Sequence, residues 1–116
     1  MSKEDLQLLK GTLDVMVLRA LLDGPLHGYG VAEWIRATTE DTLQVDDGAL
    51  YTSLHRLEKR GLVSAEWGLS ENNRKAKYYE LSKRGKARLR EQTDAWARYA
   101  RAVSRVLGVP TEGSAG

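Results

Sequence analysis

The chain has 116 residues, of which 41% are apolar and 29% charged, and no Cys. That is the length of one globular domain, and the composition excludes a disordered chain, a disulfide framework, a thiol nucleophile and a thiolate metal site. The net charge of +2 is too small to name a partner, but it is unevenly spread: residues 1–45 hold 4 Lys/Arg against 7 Asp/Glu, and residues 81–107 hold 8 against 2. The basic C-terminal segment suits nearby phosphate, although such a run is also the ordinary solvated face of a helix. No apolar run approaches the roughly 20 residues of a membrane span. The opening MSKEDLQLLKG lacks the apolar core of a signal peptide. A cytoplasmic protein without membrane contact is expected.

In chain order, a first helix is expected from Glu4 or Asp5 to Leu22. Its apolar stripe is Leu6, Leu9, Leu13, Met16/Val17 and Ala20/Leu21, and Asp5 complements the dipole at its start. Asp23-Gly24-Pro25 ends it, since Gly tolerates left-handed backbone and Pro cannot continue the ladder. A second helix is expected over residues 28–38, burying Val31 and Ile35 with Trp34, followed by a polar connector over residues 39–42. Asp46 is the expected N-cap of a third helix, closed by Gly61. Within it Leu50, Leu54 and Leu57 recur at helical spacing and point to a core. Gly48, Thr52, His55 and Lys59 then fall on the opposite face, with Tyr51 and Arg56 on its flanks. Small residues let a backbone approach a major groove, and hydroxyl, imidazole and cationic groups reach base edges and phosphates. The same face also suits an ordinary surface helix, and the pattern alone leaves both readings open. Two helices joined by a short polar turn, the second with an outward polar face, make a helix-turn-helix.

The segment after that helix tips the balance toward DNA. Residues 62–67 and 76–81 read as two strands, joined by a polar connection over Gly68–Lys75. A hairpin with a basic tip directly after such a helix is a wing. Arg74, Lys75 and Lys77 supply cations for flanking phosphates or the minor groove, and Arg74 is the better suited to a narrow groove. Trp67, at a strand end, is expected in the core. Ser82 is the expected N-cap of a last helix from about Lys83 to Leu107. Leu89, Trp96 and Val103 are spaced by seven, with Tyr99 and Val106, and Ala100 and Leu107, beside them. That stripe runs beyond what a compact winged core can cover, so a second copy is the simplest partner, in a C2 homodimer to which the first helix contributes. The expected fold class is mainly α with a small β-hairpin (α+β). The organisation is a winged helix-turn-helix over residues 1–82, a dimerisation helix over residues 83–107 and a disordered tail over residues 108–116.

The segments LLKGTLDVMVLRALLDGPLHGYGVAEWI, VDDGALYTSLHRLEKRGLVSAEWG and NNRKAKYYELSKRGKARL together resemble the PadR family of bacterial transcriptional regulators. The resemblance covers roughly residues 6 to 107, in order, and the single C-terminal helix is similar to that of the short subgroup. One departure is Thr52, where many members carry Pro. Pro would be tolerated near a first helical turn, whereas Thr adds a hydroxyl on the groove-facing side. The resemblance implies a homodimeric repressor that binds an inverted-repeat operator in double-stranded DNA. It further implies release by a small aromatic or cationic effector and a regulated gene in transport or detoxification. In some short members a tryptophan of the last helix lines a cavity at the dimer interface, and Trp96 stands in the matching place.

The remaining candidates carry two readings each. His27 and Tyr29 open the second helix, whose N-terminal amides commonly meet the DNA backbone, yet His27 also suits capping and packing of the turn. Tyr51 suits phosphate contact or half-buried packing, and Trp96 suits ligand contact or dimer core. Catalysis is not expected. The two histidines lack HExxH spacing, no glycine-rich phosphate loop is present, and Ser64 and Ser70 have no nucleophile-elbow context. Neither a metal nor a cofactor is expected. A reading from another class is a winged protein-interaction module that does not bind DNA; duplex binding would fall steeply with salt, while an apolar protein interface would not.

Overall fold

A computed structural model of the protein describes residues 3–110, apart from the side chains of residues 3, 5–7 and 10. Helix α1 (Lys3–Ala20) buries Leu9, Leu13, Val17 and Leu18. The expected contributions of Asp5 and Leu6, and the tail from Thr111 to Gly116, lie outside the described residues. The helix stops two residues earlier than the sequence suggests. Leu21 and Leu22 donate to the carbonyls of Leu18 and Arg19, and these i→i−3 bonds tighten the chain into a turn before Pro25.

Strand β1 (Leu26–His27) comes next, then α2 (Gly28–Thr38) and α3 (Asp47–Lys59), with α2 and α3 where the sequence places them. Asp46 caps α3, its carboxylate accepting from the Ala49 amide at 2.9 Å. Val31, Ile35, Leu50, Leu54 and Leu57 close on α1 in a continuous core. Each fully buried side chain of this size contributes roughly 1.5–3 kcal/mol.

Strands β2 (Val63–Leu69) and β3 (Lys75–Leu81) pair antiparallel from Val63 with Leu81 to Leu69 with Lys75, and β1 adds to the other side of β3 through Leu26 with Tyr79. The sheet therefore has three strands, in the order β1-β3-β2, rather than the expected two. The hairpin connection is also shorter than the Gly68–Lys75 stretch. Gly68 and Leu69 continue the ladder opposite Ala76 and Lys75, leaving only residues 70–74 as the wing tip. There the Asn73 amide donates to the Ser70 carbonyl and Asn73 adopts φ +60°, the left-handed residue that a short hairpin loop requires.

This longer hairpin corrects the expectation for Trp67. It shares the inward face with Val63, Ala65 and Tyr79, but at the wing end of the ladder that face borders an open cleft rather than the packed core. Trp67 is 62% exposed.

Ser82 caps helix α4 (Lys83–Leu107) by accepting from the Gly85 amide at 3.0 Å, while its hydroxyl donates to the Gly61 carbonyl at 2.7 Å. The start of α4 is thereby tied to the end of α3. Gly85 is the point of closest approach, where a Cβ would collide with the Leu62 carbonyl oxygen. The first two turns rest on β3 and α1, so Leu89 is only 5% exposed and belongs to the protomer's own core. It is not available as the first residue of an intermolecular stripe, as the seven-residue spacing suggests. Beyond it α4 continues along α1 with Trp96, Tyr99, Val106 and Leu107 exposed, and Ala100 and Val103 half-buried. At about 1.5 Å per residue its 25 residues span about 38 Å. Among the described residues no helix is long and apolar enough to cross a membrane, and no cluster of three potential metal ligands occurs.

Replacing Gly85 by Ala should push α4 off the Leu62 carbonyl. The expected loss is at least about 2 kcal/mol of unfolding free energy, read from urea denaturation.

Candidate nucleic-acid interface

The position of α3 is fixed by a carboxylate on α1. Asp14 accepts from the Ser53 hydroxyl at 2.6 Å, from Arg56 Nε at 2.9 Å and from Arg56 Nη2 at 2.6 Å. Ser53 is fully buried, and this bond to Asp14 satisfies its hydroxyl. Burial would push the Asp14 carboxyl up. Hydrogen bonds from Arg56 and Ser53, with the charges of Arg56 and Arg60, outweigh that and hold it below its ordinary value. The same hydrogen bonding, then the charge of Asp14, pushes the Arg56 guanidinium pKa up.

The clamp engages Arg56, which the sequence places on the flank of the outer face. Residues three apart on a helix share a side, so Arg56 follows Ser53 toward α1 and its guanidinium is committed to Asp14. The outer face itself forms as the spacing suggests: Gly48, Thr52, His55 and Lys59 are all exposed along one side of α3. Tyr51 is turned toward the start of α2. A Cβ on Gly28 would stand 2.6 Å from the Tyr51 oxygen, so any larger residue there would make the Tyr51 ring shift. His27 is the N-cap of α2, its Nδ1 accepting from the Gly30 amide at 2.9 Å. That bond assigns the remaining proton to Nε2, leaving a donor on the outer side of the ring. Tyr29, beside it, is exposed.

The wing cations divide. Arg74 is exposed at the tip and has no carboxylate partner among the described residues. Lys75 lies on β3, its Nζ 5.5 Å from the centre of the Trp67 ring. Lys77 is half-buried, 3.4 Å from Glu58 of α3 and 5.6 Å over the Tyr79 ring. It ties the wing to α3 and is less available than the sequence suggests. Burial pushes the Tyr79 phenol up, against the opposing charge of Lys77.

Between the wing and the starts of α2 and α3 lies a cleft of about 510 Å³. His27, Tyr29 and Tyr51 line it from the helices, and Trp67, Lys75 and Lys77 from the wing. No Asp or Glu is among its lining residues. Sequence reasoning missed the Asp14 clamp and the exposure of Trp67. The alternation of Val63, Ala65 and Trp67 gives the side on which Trp67 lies, but not where the helices end.

At the other end of the molecule Trp96 sits between two concavities that α4 shares with α1. One, of about 360 Å³, includes Asp14, Thr12, Gln92 and Tyr99. The other, of about 340 Å³, is chiefly apolar, with Leu8, Met16 and Leu43. The Trp96 and Tyr99 rings are 6.4 Å apart.

Residues 17–91 match the model of the transcriptional regulator PadR-like family. An uncharacterized protein of Lysinibacillus sphaericus is 33% identical over 90 residues, covering 78% of this chain and 83% of that protein. Among solved structures, a PadR-like transcriptional regulator from Bacillus cereus superposes with a TM-score of 0.74 at 26% identity, covering 87% of this chain and 96% of that one. A PadR family transcriptional regulator from Eggerthella lenta gives 0.74 at 29%, covering 90% and 88%. A transcriptional regulator from Clostridium thermocellum shares the fold with a TM-score of 0.78 at 23% identity, covering 85% and 96%.

The Asp14 clamp carries a pH signature. Because the folded carboxyl is depressed, its contribution is complete above the ordinary value of 3.8 and is lost as the pH falls through the depressed one. Asp14→Asn should cost about 1–3 kcal/mol at pH 7, the range for a partly exposed charge-assisted network. It should also flatten the acid limb of the stability profile below pH 4, measured by urea unfolding at stepped pH.

Proposed function

The chain belongs to the PadR-like family of transcriptional regulators, and on that premise we propose that it is a dimeric repressor of a transport or detoxification gene, relieved by a small-molecule effector. DNA-binding transcription regulation, not catalysis, is the activity of the family. The observation that carries the finer reading is the exposed face of α3. Gly48, Thr52 and His55 offer a close approach, a hydroxyl and an imidazole to base edges, while Lys59 at the far end meets phosphate. Arg74 anchors the flanking groove from the wing tip. His27 supports the backbone contact by fixing the start of α2, and Tyr29 reaches phosphate beside it. Lys75 adds charge near the wing, whereas Lys77 and Arg56 act mainly by holding the wing and α3 in place. Residues 1–82 form the DNA-binding unit of this reading, and the protein acts in the cytoplasm, where operator DNA lies.

The second copy packs on the far part of α4. Trp96, Tyr99, Ala100, Val103, Val106 and Leu107 make its stripe, with α1 beside them and without Leu89. A C2 pair presents two copies of α3 about one helical turn of DNA apart, or a multiple of it, which calls for an inverted repeat. The effector enters beside Trp96, and its class, aromatic or cationic, fits an indole next to a carboxylate. Asp14 gives that site a short route to DNA. It borders the Trp96 concavity and also holds Ser53 and Arg56, so a ligand that draws on the carboxylate loosens α3.

Selection from random duplex with the purified protein should enrich an inverted repeat, and no enrichment at low salt would overturn the reading. On the selected site Arg74→Ala should weaken binding to every sequence and lower the salt slope by about one. Thr52→Ala or His55→Ala should instead change base preference, by about 1–3 kcal/mol at the affected position. Tyr99→Glu combined with Val106→Glu should yield a folded monomer by sedimentation velocity, with operator affinity reduced at least tenfold.

A further inference from the structure

Trp67 has no task in the proposed function, and its setting suggests one. It is a large ring, mostly exposed, on the wing side of the cleft that Tyr29, Tyr51 and His27 line from the helices. The lining combines aromatic faces with hydrogen-bond donors: the hydroxyls of Tyr29 and Tyr51, His27 Nε2, and the ammonium group of Lys75, while Lys77 is engaged by Glu58. No carboxylate is among the lining residues, and Glu58 stands behind Lys77 and neutralises it, so the attraction that an anionic occupant meets from the wing is chiefly that of Lys75. The cleft is continuous with the proposed base-reading face, because Tyr51 lines it and Thr52 is the next residue, on that face.

Placement of α3 in the major groove, with the Arg74 tip over the neighbouring groove, leaves one strand between them. We propose that this cleft seats a sugar–phosphate step of that strand, with the Trp67 indole packed on a deoxyribose. The Lys75 ammonium and the Tyr51 hydroxyl donate to the adjoining phosphate oxygens. A deoxyribose is apolar on its ring face and every linking phosphate is an anion that only accepts hydrogen bonds, which matches a wall of aromatic rings set among donors. Lys75 already stands over the indole, so the cation is held next to the ring that receives the sugar. The contact reads no base. It adds affinity for any duplex and fixes the distance between the wing and α3 on the DNA. This inference rests on the DNA-binding function proposed for the chain.

The test uses the full-length dimer with the selected operator and a scrambled duplex, with binding read by anisotropy across a salt series. Trp67→Ala should lose roughly tenfold in affinity for both duplexes, while Trp67→Phe stays within about threefold of the original protein. Neither should change the salt slope, whereas Lys75→Ala should lower it by about one. Tryptophan emission should become shielded from acrylamide when the protein is saturated with DNA, and Trp67→Phe should abolish most of that shielding. Because the indole is exposed, the melting temperature of both variants should match that of the original protein. Affinity for both duplexes within twofold after Trp67→Ala would overturn the proposal. So would a loss confined to the operator, or equal shielding with and without Trp67. If the original protein bound neither duplex, the regulator reading itself would fall, and this inference with it.

Discussion

A single carboxylate decides where the candidate recognition helix sits. Asp14 projects from α1 between Ser53 and Arg56, and it accepts three hydrogen bonds from α3. Leu50, Leu54 and Leu57 anchor the same helix through burial, but apolar contacts are non-directional and would tolerate rotation about the helix axis. The bidentate guanidinium contact does not, because its two parallel bonds fix both distance and angle. Burial of the carboxylate works against the clamp, and the number of donors that meet it outweighs that cost. With the rotation of α3 fixed, Gly48, Thr52, His55 and Lys59 point away from the protein together.

The wing is set by a different kind of constraint. Its register is fixed by β3, which pairs on both sides, with β1 through Tyr79 and Tyr78 and with β2 over its whole length. The Lys77–Glu58 pair links it to α3, but both side chains are about a third exposed, and such pairs contribute at most about 1 kcal/mol. The backbone ladder therefore carries the wing, and the ion pair trims its angle. Toward the tip the hairpin's inward face borders a cleft rather than the core, with Trp67 at its edge.

How far the sequence discloses this molecule depends on how local each cause is. The caps Asp46 and Ser82 and the leucines of α3 act within a few residues, and the structure has them where the sequence suggests. The fold class is legible for the same reason, since a helix-turn-helix with a hairpin after it is a succession of local patterns. Strand β1 is not, because two residues are too few to show alternation, and only the pairing with β3 defines them. Asp14 is separated from Arg56 by 42 positions, so no periodicity announces the clamp that commits the Arg56 guanidinium to α1. Leu89 and Trp96 have identical spacing along one stripe, yet one is core and the other exposed. Spacing gives direction around a helix; it does not say how far along the axis the rest of the domain extends.

That last distinction bears on the proposed dimer. After Leu89, α4 continues for 18 residues, and its tip has little of its own domain to lean on. A helical segment of that length is marginal in water without packing on an apolar face. Val106 is 85% exposed and Tyr99 65%, on a helix whose charged residues are overwhelmingly basic. Solvent offers those side chains nothing, whereas a second α4 related by a two-fold axis offers each of them an apolar counterpart at the same height. The two indoles at position 96 would then approach one another from opposite sides of a space that α1 closes. Flat rings fill such a space poorly, which favours an aromatic guest over collapse. In the proposed arrangement, pairing of the two copies and admission of an effector would both follow from the same exposed stretch of helix. In this arrangement Asp14, on the neighbouring helix, is positioned to feel both.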